Sequence, residues 1–167
     1  MRLFPSVNNA PLPDGALLQE FADRGEYTDC FVANVPAQVT FPAYVESFYT
    51  TRLFKVERHL LKWLVSRPST DEEARKISCD EINEFAAWTK HRRSENQLVM
   101  MDLRQQTCSW FMLVPQEDGS LLYFGSAVMR NRESTRGRTM KWTYRCLLGF
   151  HRLYSRALLA AARHRLR

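Results

Sequence analysis

The spacing of apolar residues changes along the chain, and the changes mark its elements. Residues 28–35 alternate, are rich in β-formers and end at Pro36, which predicts a strand. Thr40 then offers a helix cap, with Pro42 in the first turn, where a missing N–H costs nothing. Thr50 and Thr51 supply a break and a second cap. From there Leu53, Val56, Leu60, Leu61 and Leu64 recur at helical spacing, flanked by Phe54 and Trp63, until Pro68. Thr70 with Glu73, and Ser78 with Glu81, each fit a capping box, so 69–83 reads as a short helix and a turn.

Beyond residue 83 the period becomes that of strands. Four runs, 84–92, 97–103, 108–114 and 121–129, are separated by short polar stretches of hairpin length, too short for parallel crossovers. A polar segment, 130–139, follows without pattern. The last element is a helix over 140–165, with Leu147, Leu148, His151, Tyr154, Leu158 and Ala162 on one face. Its arginines 145, 152, 156, 163 and 167 share the other face and read as solvated. Residues 1–26, with three prolines and two glycines, read as an extended lead-in carrying a short helix at 16–22, ahead of a single domain over 27–167.

A strand, two helices, an antiparallel meander and one long amphipathic helix imply an α+β domain. The meander has an apolar face to cover and the final helix has a stripe to bury, so the helix is expected across a curved antiparallel sheet. This order, with the run 147–154 in the last helix and 122–127 in the strand before it, resembles the helix-grip superfamily (SRPBCC or START-like domains). It is similar to uncharacterised bacterial members of that fold. The resemblance implies two short helices after the first strand and a pocket between sheet and C-terminal helix. Activities across the superfamily range over lipid carriage, cyclisation and hormone sensing, so the fold alone selects none of them.

Composition narrows the classes further. At 167 residues and 45% hydrophobic content the chain is sized for one globular domain. It has no run of eighteen apolar residues and no apolar signal region at its start, which makes the cytoplasm the expected location. The formal charge of +6 is uneven: residues 130–167 hold 11 of the 24 basic residues and only one acid, Glu133. The cysteines 30, 79, 108 and 146 form no C-x-x-C pair and no metal-ligand spacing, so they are expected to behave as small hydrophobes. No metal or cofactor is implied. G-x-G-x-x-G, P-loop, G-x-S-x-G and H-E-x-x-H motifs are absent from the sequence. The stretch with Arg130, Arg132, Arg136, Arg138 and Lys141 lacks interleaved aromatics, which weighs against nucleic acid as a partner.

Candidate pocket residues follow from the faces. His151 could bond a ligand or act as an acid/base, or it could be a core histidine held by a carbonyl. Asp102 alternates with Leu98 and Met100; it either points into the pocket and pairs with His151, or it faces solvent near an arginine. Trp88, Trp110 and Tyr123, with Phe124, either wall the pocket or fill the core, and Tyr154 and Leu147 line it from the helix. The small residues 125–127 make room for a ligand or for close packing. The leading expectation is a module that binds a small hydrophobic or amphipathic molecule. The alternatives are a cyclase- or dehydratase-type enzyme using the same pocket, and an interaction protein acting through its basic C-terminal face.

Overall fold

The computed structural model describes residues 7–56, 58, 69–129 and 139–167, the side chains of 139–151 excepted. In chain order these form β1 (Val7–Asn9), α1 (Gln19–Asp23), β2 (Tyr27–Val35), α2 (Phe41–Tyr49) and α3 (residues 52–56). Then come α4 (Asp71–Ser78), β3 (Glu84–Phe85), β4 (Trp88–Ser94), β5 (Gln97–Asp102), β6 (Thr107–Gln116), β7 (Gly119–Val128) and α5 (Thr139–Arg165). The strands make one antiparallel sheet in the order β1-β2-β7-β6-β5-β4-β3. Strand β2 therefore pairs with the last strand of the meander, and α5 packs on β2, β7 and α2. This is the helix-grip arrangement expected from the order of elements.

Local signals explain most boundaries. The Thr40 hydroxyl accepts from the Ala43 N–H with Pro42 in the first turn, and Thr51 Oγ1 accepts from the Phe54 N–H at the start of α3. Thr70 and Glu73 form the expected reciprocal capping box. The second box does not form. Ser78 instead closes α4, its hydroxyl donating to the Arg75 carbonyl, and Asp80 turns the chain at φ 65°. The stripe positions Leu60, Leu61, Trp63 and Leu64, and Pro68, lie outside the described residues, as do the 130–138 segment and the Cys146 side chain.

Two expectations are corrected. The run 84–92 is two strands, because Ala86 adopts a left-handed φ of 52° and reverses the chain between β3 and β4. No glycine, asparagine or proline announces that turn, and the meander thus has five strands rather than four. The lead-in also contributes structure: β1 adds an edge strand to β2, and α1 packs on the sheet, starting later than the expected helix.

The sheet is apolar on both faces. Inward, toward α2, α4 and α5, lie Phe31, Ala33, Val35, Leu98, Met100, Phe111, Leu113, Leu122 and Phe124, packed with Tyr44, Phe48, Tyr49, Phe54, Phe85, Leu158, Leu159 and Ala162. Outward lie Cys30, Val99, Cys108, Trp110, Met112 and Ala127, covered by Ala16, Leu18 and Phe21. Gln97 fastens this outer cover. Its Oε1 accepts from the Leu17 N–H at 2.8 Å and the Trp110 Nε1–H at 2.9 Å, while its Nε2 donates to the Gly15 carbonyl at 3.0 Å. Gly125 permits the approach, since a Cβ there would sit 2.8 Å from Leu18 Cδ2 and 3.0 Å from the Trp110 ring. Gly125 in the small step therefore serves close packing on the outer face.

The arginine face of α5 is not wholly solvated. Arg156 donates to the Val7 carbonyl at 3.0 Å and Arg163 to the Asn34 carbonyl at 2.6 Å, so both tie the helix to strands β1 and β2. Val7 lies on the edge strand and Asn34 lies beyond the stretch of β2 that β1 pairs with, where a guanidinium is well suited to reach a backbone carbonyl. Arg152 and Arg167 are exposed.

Replacing Gln97 with leucine should keep volume while stranding two N–H donors and one carbonyl. Stability should fall by ~2–3 kcal/mol in urea denaturation, with proteolysis beginning in residues 10–23. A second expectation concerns alkaline pH. Burial pushes the Cys30 and Cys108 thiols up to about 12, from 9.0. Above pH 9 the unfolded chain releases protons that the folded chain retains, so this contribution is intact below pH 9 and is lost as pH rises toward 12. At neutral pH, Cys79, which is exposed, should alkylate, while Cys30 and Cys108 should react only on unfolding, as read by mass spectrometry.

Candidate functional site

Strand register arranges the inner face of the sheet in rows. One row is Phe31, Phe124, Phe111 and Leu98, in register across β2, β7, β6 and β5. All four are buried, and Phe48 of α2 closes over them, its ring centroid 4.6 Å from Phe124 and 4.8 Å from Phe111. The hydroxyl of Tyr44 donates to the Tyr123 carbonyl at 2.9 Å, and burial holds that phenol well above its ordinary pKa. With Leu158 and Leu159 of α5 this half of the grip is solid aromatic and aliphatic packing.

Two residues further along the strands the chemistry changes. The next row is Asp29, Ser126, Ser109 and Met100, and the one beyond is Tyr27, Val128 and Thr107, continued by Asp102 and its register partner Trp88. Alternation turns these residues to the same face as the aromatic row. Asp29 Oδ1 accepts from the Ser126 backbone N–H at 3.0 Å and from its hydroxyl at 2.6 Å, which stitches β2 to β7 inside the sheet. Ser109 is half-buried on a strand flanked on both sides, and its hydroxyl has no hydrogen-bond partner among the described residues. Thr107, Val128, Asp102 and Trp88 are also half-buried. The inner face is thus fully packed at the aromatic row, while the rows beyond it mix buried Ser126 and Met100 with half-buried Asp29, Ser109, Thr107 and Val128.

The expected pocket residues divide. Trp88 and Tyr154 pack against the inner cluster, Trp88 with its ring 5.6 Å from Phe54. Trp110 and Tyr123 do not belong with them. Both point to the outer face, under the N-terminal segment, with ring centroids 6.4 Å apart. Because both faces of the sheet are covered, an aromatic residue in these strands carries no sign of which face it occupies. Asp102 shares the inner parity of Leu98 and Met100, but its Oδ1 accepts from the Gln106 N–H at 2.6 Å and the Thr107 N–H at 3.1 Å. It caps its own hairpin rather than meeting an arginine. The side chains of Leu147 and His151 lie outside the described residues.

Asp29 and Ser109 are not among the sequence candidates, and Ser126 enters there only as part of the small step 125–127. The signal was there in the alternation of Asp29 with Phe31, Ala33 and Val35, an acid entering an otherwise apolar strand face. A separate open groove of about 290 Å³ lies at the ends of β4 and β5, bordered by His91, Met101 and Leu103. Its ionisable wall is already engaged, Lys90 with Asp80 and His91 with Glu20.

No protein-family model and no curated protein matches the sequence. Among solved structures the chain is similar to a conserved protein of unknown function, EF2215, from Enterococcus faecalis. That match has a TM-score of 0.38 and 13% identity, covering 87% of this chain and 78% of that one. The chain is also similar to Ara h 8.0201, with a TM-score of 0.35 and 7% identity, covering 85% of this chain and 98% of that one. The helix-grip assignment given above stands on strand order and on the packing of α5.

Since Asp102 serves the turn, Asp102→Ala should cost about 1–2 kcal/mol through two lost acceptor contacts, measured by urea denaturation. An unchanged midpoint would show that the carboxylate is not needed by the hairpin.

Proposed function

We propose that the protein binds a small hydrophobic or amphipathic molecule between the inner face of the sheet and α5. One observation carries this reading. Ser109 and Thr107, polar and inward-facing on the central strand β6, remain half-buried, while the row of Phe111 is fully packed. A protein with no use for polar groups on this face would be expected to carry hydrocarbon in their place, as it does around Phe111, because interiors are apolar and close-packed. Trp88 offers an apolar wall at this end, and Tyr154 lies on the α5 side of the inner cluster. On the sequence spacing of α5, Leu147 and His151 join Tyr154 as candidate lining residues, with the imidazole as a polar contact for the ligand.

A cyclase or dehydratase reading would need His151 within reach of a second acid/base group. Asp102, the acid first considered, is engaged by backbone N–H groups. An interaction role through the basic helix face is weakened by the use of Arg156 and Arg163 as ties to the sheet. No helix among the described residues is long and apolar enough to cross a membrane.

The test is native mass spectrometry of gently purified protein, joined to a thermal-shift panel of hydrophobic compounds. A bound species is expected, and at about 100-fold excess over Kd the Tm should rise by roughly 5 °C or more. Trp88→Ala should weaken the effect. No bound species and no shift across the panel would overturn the proposal.

A further inference from the structure

The outer side of α5 carries charge that the fold does not balance. The helix contains no aspartate or glutamate. Its Arg152, Arg156, Arg163 and Arg167 recur at i, i+4, i+11 and i+15, which sets them in one stripe about 22 Å long. In the other helices and strands basic residues meet carboxylates: Lys55 and Arg58 share Asp71, Arg75 lies on Glu72 and Glu81, and Arg92 on Glu20. None of the stripe arginines has a carboxylate partner among the described residues. Arg156 and Arg163 each bond a strand carbonyl through one nitrogen, while Arg152 and Arg167 are exposed. Burial, and then the nearby charge of Arg167, push the Arg163 guanidinium below its usual range. Like charges at i and i+4 repel, and an anionic partner laid along the row removes that penalty.

Beside the stripe stands Leu153, a large apolar side chain left 44% exposed. Ala157 and Ala161 continue its row at i+4 and i+8, both half-buried. One leucine followed by methyl groups lets a second helix approach closely, at an interaxial distance of about 8–10 Å. The two features together select a kind of partner. A polyphosphate or nucleic-acid chain would satisfy the arginines and leave Leu153 unused. A lipid surface calls for a wider apolar face than one leucine supplies. Guanidinium groups match carboxylates in a two-pronged geometry, which lysines do not.

We propose that the outer side of α5 docks an acidic amphipathic helix of another protein, its carboxylates along the arginine stripe and an apolar side chain against Leu153. The contact is small and of the transient kind. It lies across the helix from Leu158, Leu159 and Ala162, which face the core, so it does not depend on any ligand held against the sheet.

Fluorescence anisotropy on the full chain tests this with three labelled peptides: a three-heptad helix with leucines on one face and glutamates on its flanks, the same helix with lysine for glutamate, and a scrambled glutamate peptide of equal composition. The acidic amphipathic helix should bind, about 10-fold more weakly in high salt than in low, and the lysine helix should not. Arg152→Glu with Arg167→Glu should weaken it about 10-fold or more. Leu153→Ser should weaken it about 3- to 5-fold and leave the scrambled peptide unchanged. Circular dichroism of both variants should match the wild type, since all three side chains are exposed. Failure of the acidic helix to bind, equal binding of the scrambled peptide, or no effect of Leu153→Ser would overturn the inference. So would preferential binding to vesicles containing phosphatidylserine, which would assign the arginines to a membrane surface. None of these outcomes bears on ligand binding at the inner face, which is read separately by native mass spectrometry.

Discussion

A sheet that is apolar on both faces has to be covered twice, and this constraint organises the molecule. On the inner side the cover is made of α2, α3, α4 and α5, and aromatic contacts tie Phe48 and Tyr49 of α2 and Phe54 of α3 to Phe85, Phe111 and Phe124 of the sheet. On the outer side it is a thin segment, residues 10–23, too short to bury much on its own. Gln97 compensates by giving that segment two backbone bonds and using the Trp110 indole as a third partner. A buried amide with its polar atoms satisfied fixes where the segment lies, whereas apolar contact alone would leave its register free. The outer cover therefore depends on one side chain and on the missing Cβ of Gly125 more than on area.

What the sequence made legible follows from the kind of signal each element carries. Caps at Thr40, Thr51 and Thr70 are short-range chemistry, written in adjacent residues, and they appear where the sequence places them. The order of elements and the antiparallel meander follow from loop length, which is equally local. The turn at Ala86 is illegible because its left-handed backbone goes with the pairing of Phe85 and Trp88 and not with a residue that prefers it. The outer cover was illegible for a related reason. Pro11, Pro13 and Gly15 mark the segment as irregular without saying that an apolar face elsewhere needs it.

The candidate site was half visible. Placing Trp88 needed only that β4 present one face inward. Trp110 and Tyr123 were misplaced because alternation fixes which residues share a face and leaves open which face is which. In a sheet with one wet face the polar partners would break that symmetry; here both partners of the alternation are apolar, as with Trp110 and Phe111 side by side in β6. Asp102 shows a different limit. Its parity was read correctly, yet its carboxylate is spent on a hairpin because an aspartate at a strand end finds backbone N–H groups within a few residues.

The packing of the inner face has a mechanical consequence for α5. Leu158, Leu159 and Ala162 anchor the helix in the aromatic plug, and Arg156 and Arg163 pin it to the sheet edge. Among the described side chains of α5, apolar burial and guanidinium–carbonyl contacts thus act together, the one fixing its depth against the sheet and the other its position along β1 and β2.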